Sequence, residues 1–175
     1  MKPFGIGLAA ALIVAALAPA AVLSASKGAP SVSEAQRKQG MAEAPAIAQS
    51  IGIGCQVTDA RFIGKQTDAK TKASTSYYEI DCDKGLGFIL SAPAGGKPTA
   101  FTCIEANTPQ PDGKPSSLPC VLPGNADPKA DLAPLLAKAG VSCTPEAARG
   151  IGQSATNTFL EVACQGGQGF VMQAA

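Results

Sequence analysis

The sequence predicts an α+β protein made of two related, small, disulfide-braced lobes, each with a short helix and short antiparallel strands. Three observations support this fold class: a duplicated cysteine-containing motif, six cysteines in 175 residues, and short segments in which apolar and polar residues alternate. The chain has no Trp and few other aromatic residues, so its core lacks large side chains. Small exported domains with such weak cores are usually stabilised by disulfides.

The duplication is the most informative feature. The first copy reads GIGCQVTDARFIG from Gly52 to Gly64, and the second reads GVSCTPEAARGIG from Gly140 to Gly152. The match resumes after a loop that is shorter in the second copy, where Tyr77–Cys82 aligns with Phe159–Cys164 and a Gly-x-Gly-Phe motif follows each cysteine. So many identities in one register indicate an internal repeat.

Each copy is expected to follow the same plan. A helix is predicted around Pro45 to Ser50 in the first copy and from Leu132 to Ala139 in the second, where Gly140 suits a left-handed stop. The cysteine segment and an Ala-Arg-x-Ile-Gly loop follow the helix. Two short strands come next, and their alternation suits a half-buried antiparallel pair. These strands are Tyr77 to Cys82 and Gly87 to Ser91 in the first copy, and Phe159 to Cys164 and Gly169 to Gln173 in the second.

The copies divide the chain into four parts. We predict a signal peptide over residues 1–25 and a flexible tether over residues 26–40. The first repeat unit is expected to span residues 41–125 and a second, truncated unit residues 126–175. The first unit ends in an extension that begins with a strand from Thr99 to Glu105. A proline-rich stretch between Cys103 and Cys120 follows it.

The N-terminal residues have the parts of a secretory signal. Lys2 precedes an unbroken apolar run from Gly5 to Leu17, and small residues at Ala18–Ala20 or Ser24–Ala25 could hold the cleavage site. The run is shorter than the roughly 20 apolar residues of a transmembrane helix, although an uncleaved N-terminal anchor is the alternative. The sequence therefore predicts a periplasmic or extracellular protein with no transmembrane segment after cleavage.

The repeat narrows the possible cysteine pairings, because the second copy contains only two cysteines. If the copies fold alike, a local arrangement gives three bridges: Cys55–Cys82, Cys103–Cys120 and Cys143–Cys164. Each closes a loop of about 18 to 28 residues and contributes about 3–4 kcal/mol. A swapped arrangement, Cys55–Cys164 with Cys82–Cys143, also respects the symmetry and would interlock the lobes.

The composition excludes several kinds of function. The chain has no His, which rules out Ser-His-Asp and Cys-His catalysis, and its cysteine spacing is too wide for a zinc knuckle. No catalytic residue, metal or cofactor is predicted. With Lys2 set aside, 13 of the 14 basic side chains balance the 13 acidic ones, so nucleic acid is not an expected partner. Glu79, Asp81 and Asp83 form an acidic cluster, but only Glu79 has an acidic counterpart in the second copy, Glu161.

An arginine and a glutamate recur together in both copies, as Arg61 with Glu79 and Arg149 with Glu161. One interpretation makes each arginine a ligand anchor. The preferred interpretation is an ion pair within each lobe that fixes the loop against the strand.

The pattern Cys…Ala-Arg-x-Ile-Gly…Glu-x-x-Cys-x-x-Gly-x-Gly-Phe, followed once by Cys103 and Cys120, resembles a group of uncharacterised exported proteins from alphaproteobacteria. The resemblance covers most of residues 50 to 175. It implies an envelope location and no particular mechanism.

The sequence thus predicts an exported, non-catalytic binding or structural module of the cell envelope, with an envelope protein or polysaccharide as its partner. The alternative is a disulfide-braced inhibitor of an envelope or foreign hydrolase. Its exposed loop would run from Asn107 to Ser117, held at its base by Cys103 and Cys120. A hydrolase that uses acidic residues ranks last.

Overall fold

The computed structural model describes residues 31–154 and 157–174. The predicted signal peptide, residues 1–25, lies outside the described residues, as do residues 26–30 of the predicted tether. The fold is α+β, with two antiparallel sheets, three α-helices and a 3-10 helix in the described part. The elements are α1 (Glu34–Ser50), β1 (Val57–Thr67), β2 (Ser74–Cys82), β3 (Phe88–Pro93), β4 (Thr99–Thr102), α2 (Cys103–Asn107), the 3-10 helix (Pro123–Asn125), α3 (Leu132–Lys138), β5 (Pro145–Gln153), β6 (Thr158–Cys164) and β7 (Gly169–Ala174).

The first helix is longer than predicted, and the tether prediction was wrong for residues 34–40. Helix α1 begins at Glu34 because Ser33 and Gln36 form a reciprocal capping box. The helix lies close against β1 through small residues. A Cβ at Gly40 would collide with the backbone of Ala60 and Arg61, so only glycine permits this approach.

The two sheets repeat one design. The first has the order β1-β2-β3-β4 and the second the order β5-β6-β7. Arg61 lies opposite Glu79, which lies opposite Ile89; in the second sheet Arg149, Glu161 and Val171 occupy the same row. Both first strands carry two register shifts at equivalent places, so the duplication extends to the backbone irregularities.

Two local predictions were wrong. The Ala-Arg-x-Ile-Gly segments are not loops, because they form the middle of β1 and β5. A bulge at Ile63 and at Ile151 breaks the alternation that would have marked a strand. The strand predicted from Thr99 to Glu105 ends at Thr102, where Thr102 and Glu105 form a capping box that starts α2.

The three disulfides are the local pairs that the repeat predicted. Cys55–Cys82 and Cys103–Cys120 each have a Cα–Cα distance of 5.6 Å, and Cys143–Cys164 has one of 5.5 Å. These distances are usual for a disulfide. The first and third bridges join equivalent positions at the start of each repeat to the end of β2 and of β6. The described part of the chain contains no free cysteine.

The lobes share a core. Helix α1 covers one face of the first sheet and packs on Ala60, Tyr78, Ile80 and Leu90. The core of the second lobe contains Leu160, Val162, Leu132 and Leu136, together with two residues of the first lobe, Leu86 and Ile104. Leu86 comes from the β2–β3 turn and Ile104 from α2. The first lobe therefore completes the core of the second, although the local disulfides do not link the two lobes.

No helix within residues 31–154 and 157–174 has the length and apolar character needed to cross a membrane.

The shared core makes a prediction about Leu86. Leu86→Ala removes apolar volume from the second lobe's core, and we expect it to lower the free energy of unfolding by about 2–5 kcal/mol. The amides of β6 should exchange faster with solvent, although residue 86 belongs to the first lobe. Urea unfolding and hydrogen exchange measure both effects, with Ile151→Ala on the exposed side of β5 as the control. Unchanged exchange in β6 would show that the lobes are energetically separate.

Candidate functional site

The Arg61–Glu79 pair lies at the centre of the first lobe, on the face of the sheet opposite α1. The register of β1 and β2 places the two residues directly across from each other. The Nε atom of Arg61 donates to Oε2 of Glu79 at 2.5 Å. Glu79 is 0% exposed and the Arg61 side chain only 10% exposed. This pair is therefore inaccessible to a ligand, which favours the structural interpretation for the first lobe.

Residues 103–125, here named the cap, cover this pair. The cap consists of α2, a loop, and the 3-10 helix. The backbone N–H groups of Val121 and Leu122 each donate to the Glu79 carboxylate at 2.8 Å, and Nδ2 of Asn125 donates to it at 2.9 Å. Nη2 of Arg61 donates to the Pro119 carbonyl at 2.9 Å. The buried charges are thus neutralised and hydrogen-bonded, as burial requires.

The amide of Asn125 is oriented by its two acceptors. Its Nδ2 also donates to the Ile80 carbonyl at 3.1 Å, while Oδ1 is buried without a hydrogen-bond partner among the described residues. Turning the amide over would place Oδ1 against the Glu79 carboxylate, which is less favourable. A Cβ at Gly87 would overlap the Asn125 side chain, so the Gly-x-Gly-Phe motif of the first copy makes room for the cap.

Glu79 also lies beside the Cys103–Cys120 disulfide. One carboxylate oxygen and the two Sγ atoms lie within 4.8 Å of one another. The sulfurs are bonded to each other, and neither is the thiolate that a metal ion requires. This cluster is therefore a structural junction, at which the disulfide closes the cap directly over the buried carboxylate.

The second lobe has the same pair in a different setting. Nε of Arg149 donates to Oε2 of Glu161 at 2.5 Å, but the two side chains are 66% and 47% exposed. No described segment crosses this face as the cap crosses the first sheet. The Arg149–Glu161 pair therefore has the same hydrogen-bond geometry as Arg61–Glu79, but no described segment covers it.

The acidic residues of the first copy lie in different surroundings. Glu79 is sealed beneath the cap, and Asp83 accepts a hydrogen bond from the Gln56 N–H at 3.1 Å. Burial raises the pKa of Asp81, whose carboxylate accepts a hydrogen bond from Thr58. Burial also raises the pKa of Asp131, with a smaller contribution from the charge of Asp81. Glu161 lies in the other sheet, and the burial of Glu79 keeps the two carboxylates from lining one cleft.

A groove of about 880 Å³ opens between the lobes. Its walls come from the segment before β1, the β2–β3 turn, α3 and β7. The apolar lining includes Ile53, Leu86, Phe88, Leu135, Val141 and Met172. Lys84 and Lys138 also line it, and neither forms an ion pair with another described residue.

Sequence reasoning found the Arg–Glu pairs but missed the groove and the donors of the cap. The groove needs residues from four distant segments, and no local pattern connects them. The donors to Glu79 are largely backbone N–H groups, which leave no trace in side-chain identity. The one sequence signal for the cap was the proline-rich stretch between Cys103 and Cys120. It indicated a cross-linked segment but not which part of the protein that segment covers.

Searches against protein-family models, curated proteins and solved structures gave no match for this chain.

The contrast between the two pairs makes a prediction. Glu79→Gln leaves Arg61 buried beside a neutral partner, and we expect it to lower the free energy of unfolding by about 3–5 kcal/mol. Glu161→Gln is the matched control in an exposed pair, and its effect should stay below about 1 kcal/mol. Urea denaturation of both variants at neutral pH measures the difference. Equal losses would contradict a special role for the buried pair.

Proposed function

We propose that this chain is an exported, non-catalytic protein of the cell envelope, periplasmic or extracellular, that binds an apolar ligand in the groove between its lobes. Three disulfides in so small a chain favour an oxidising compartment. The observation that carries the proposal is the groove itself. Its volume of about 880 Å³ falls within the usual range for small-molecule sites, which are mostly apolar with a few polar groups.

The lining favours an amphipathic ligand with an apolar body and an anionic end. Leu135 and Met172 are half-buried and leave apolar surface in the groove. Lys84 and Lys138 are exposed and contribute positive charge beside it. Asp83, the acidic residue that lines the groove, already accepts a hydrogen bond from the Gln56 N–H. An anionic group would therefore meet cations there, while an acyl or aromatic body covers the apolar wall.

The proposal predicts the binding of two fluorescent probes. The neutral N-phenyl-1-naphthylamine and the anionic 8-anilinonaphthalene-1-sulfonate should both bind the folded protein. Leu135→Gln and Met172→Gln should each weaken both probes about tenfold, since each removes apolar surface from the site. Lys84→Gln and Lys138→Gln should weaken only the anionic probe, by about threefold.

The control for these titrations is Met41→Gln, which alters an exposed side chain of α1 that does not line the groove. Urea unfolding of each variant separates loss of the groove from loss of folding. If Met41→Gln weakens the probes as much as the groove variants do, the groove is not the binding site.

A second candidate function is inhibition of a hydrolase by the loop within the cap. The loop is exposed from Pro109 to Pro115 and is held at its base by Cys103–Cys120. It is also ordered internally, since the Gln110 N–H donates to the Lys114 carbonyl at 2.9 Å. Such a braced, exposed loop suits insertion into an active site. Envelope proteases and glycosidases that keep full activity with excess protein would argue against this function.

A further inference from the structure

In the first lobe, one face of the sheet binds a polypeptide segment, the cap. The row Arg61–Glu79–Ile89, with Ile63 at the bulge, forms the face on which the cap lies. Ile89 is completely buried there, against the Cys103–Cys120 disulfide and Ala106. The cap thus covers both parts of this face. Its backbone N–H groups donate to the Glu79 carboxylate, and its apolar side chains pack on Ile63 and Ile89.

The second lobe presents the same face, and no segment within residues 31–154 and 157–174 covers it. Arg149, Ile151, Glu161 and Val171, here named the open face, occupy the positions of Arg61, Ile63, Glu79 and Ile89 in the same register. Val171 is 66% exposed and Ile151 48% exposed. These are two of the three large hydrophobic side chains that are exposed in the described part of the chain. No described residue supplies Glu161 with the donors that Glu79 receives from the cap.

We propose that the open face docks a polypeptide segment of a separate protein, laid across it as the cap is laid across the first sheet. Two consecutive backbone N–H groups of the partner donate to the Glu161 carboxylate. A partner carbonyl accepts from the Arg149 guanidinium, and apolar partner side chains cover Ile151 and Val171. The partner segment is neutral over this region, because Arg149 already balances the charge of Glu161.

The internal geometry favours a separate protein over a second copy of this chain. The cap of a second copy already supplies the donors of its own Glu79. Transferring that cap to a neighbour would leave Glu79 and Arg61 without their partners in the donor molecule. That exchange uncovers one charged pair for each pair that it covers, so it brings no net gain.

The probe in this test is a peptide that contains the cap and the two residues before it. A synthetic peptide of residues 101–125 with its Cys103–Cys120 disulfide closed is titrated into the isotope-labelled, intact protein while amide chemical shifts are recorded. We expect the shifts to change in β5, β6 and β7 around the open face, with weak binding at peptide concentrations below about 1 mM. Glu161→Gln and Val171→Ser should each weaken this binding by tenfold or more. Met41→Gln, which alters an exposed side chain of α1, should leave the binding unchanged.

Three outcomes would overturn the proposal. One is the absence of shift changes at about 1 mM peptide. Another is binding that Glu161→Gln and Val171→Ser leave intact. The third is a dimer in sedimentation equilibrium that Val171→Arg dissociates, because the occupant of the open face would then be a second copy of this chain. Both main variants alter exposed side chains, and urea unfolding verifies that they fold.

Discussion

The arrangement of this protein depends on the buried carboxylate of Glu79. A buried carboxylate is strongly unfavourable unless a cation and several donors surround it, and here those partners come from two directions. Arg61 provides the charge from the neighbouring strand, and the cap provides two backbone N–H groups and an amide. The hydrogen bonds to this one carboxylate therefore hold the 23-residue cap (103–125) on the sheet and determine where the cap crosses it. The Cys103–Cys120 bridge closes the cap over that charge.

The position of the cap has a second consequence, because α2 contacts both lobes. Cys103 and Ala106 pack on the first sheet, while Ile104 enters the core of the second lobe. Glu105 accepts a hydrogen bond from Thr158 of β6 at 2.9 Å, and Thr108 accepts one from the Gly150 N–H of β5. The cap that satisfies Glu79 thus also joins the lobes and, with the β2–β3 turn, positions the walls of the groove. The two sheets differ in strand number and in whether a described segment covers the face that carries the Arg–Glu pair.

Much of this fold could be predicted from the sequence, and the failures have physical causes. The repeat narrowed the cysteine pairings to a local and a swapped arrangement, of which the structure has the local one. Alternation of apolar and polar residues was sufficient to predict the strands β2, β3, β6 and β7, since it is a local signal. Helix α1 was underestimated although Ser33 and Gln36 form a recognisable capping box. Strands β1 and β5 were missed because each contains a bulge at its isoleucine.

The site was less predictable than the fold. Arg61 and Glu79 were singled out because they recur, but recurrence could not show that one pair is buried and the other exposed. That difference depends on the cap, whose donors are backbone groups of Val121 and Leu122. Leu86 likewise gives no sign in the sequence that it belongs to the core of the other lobe. Long-range contacts of this kind are outside the reach of local patterns.

The most direct test of this account is native-state hydrogen exchange at the amides of Val121 and Leu122. Both belong to an irregular segment, and irregular segments usually exchange rapidly. If their N–H groups are bonded to the buried Glu79 carboxylate, they should exchange as slowly as the amides of β2, through global unfolding. Exchange as fast as that of the exposed loop from Pro109 to Pro115 would contradict the claim that Glu79 holds the cap in place.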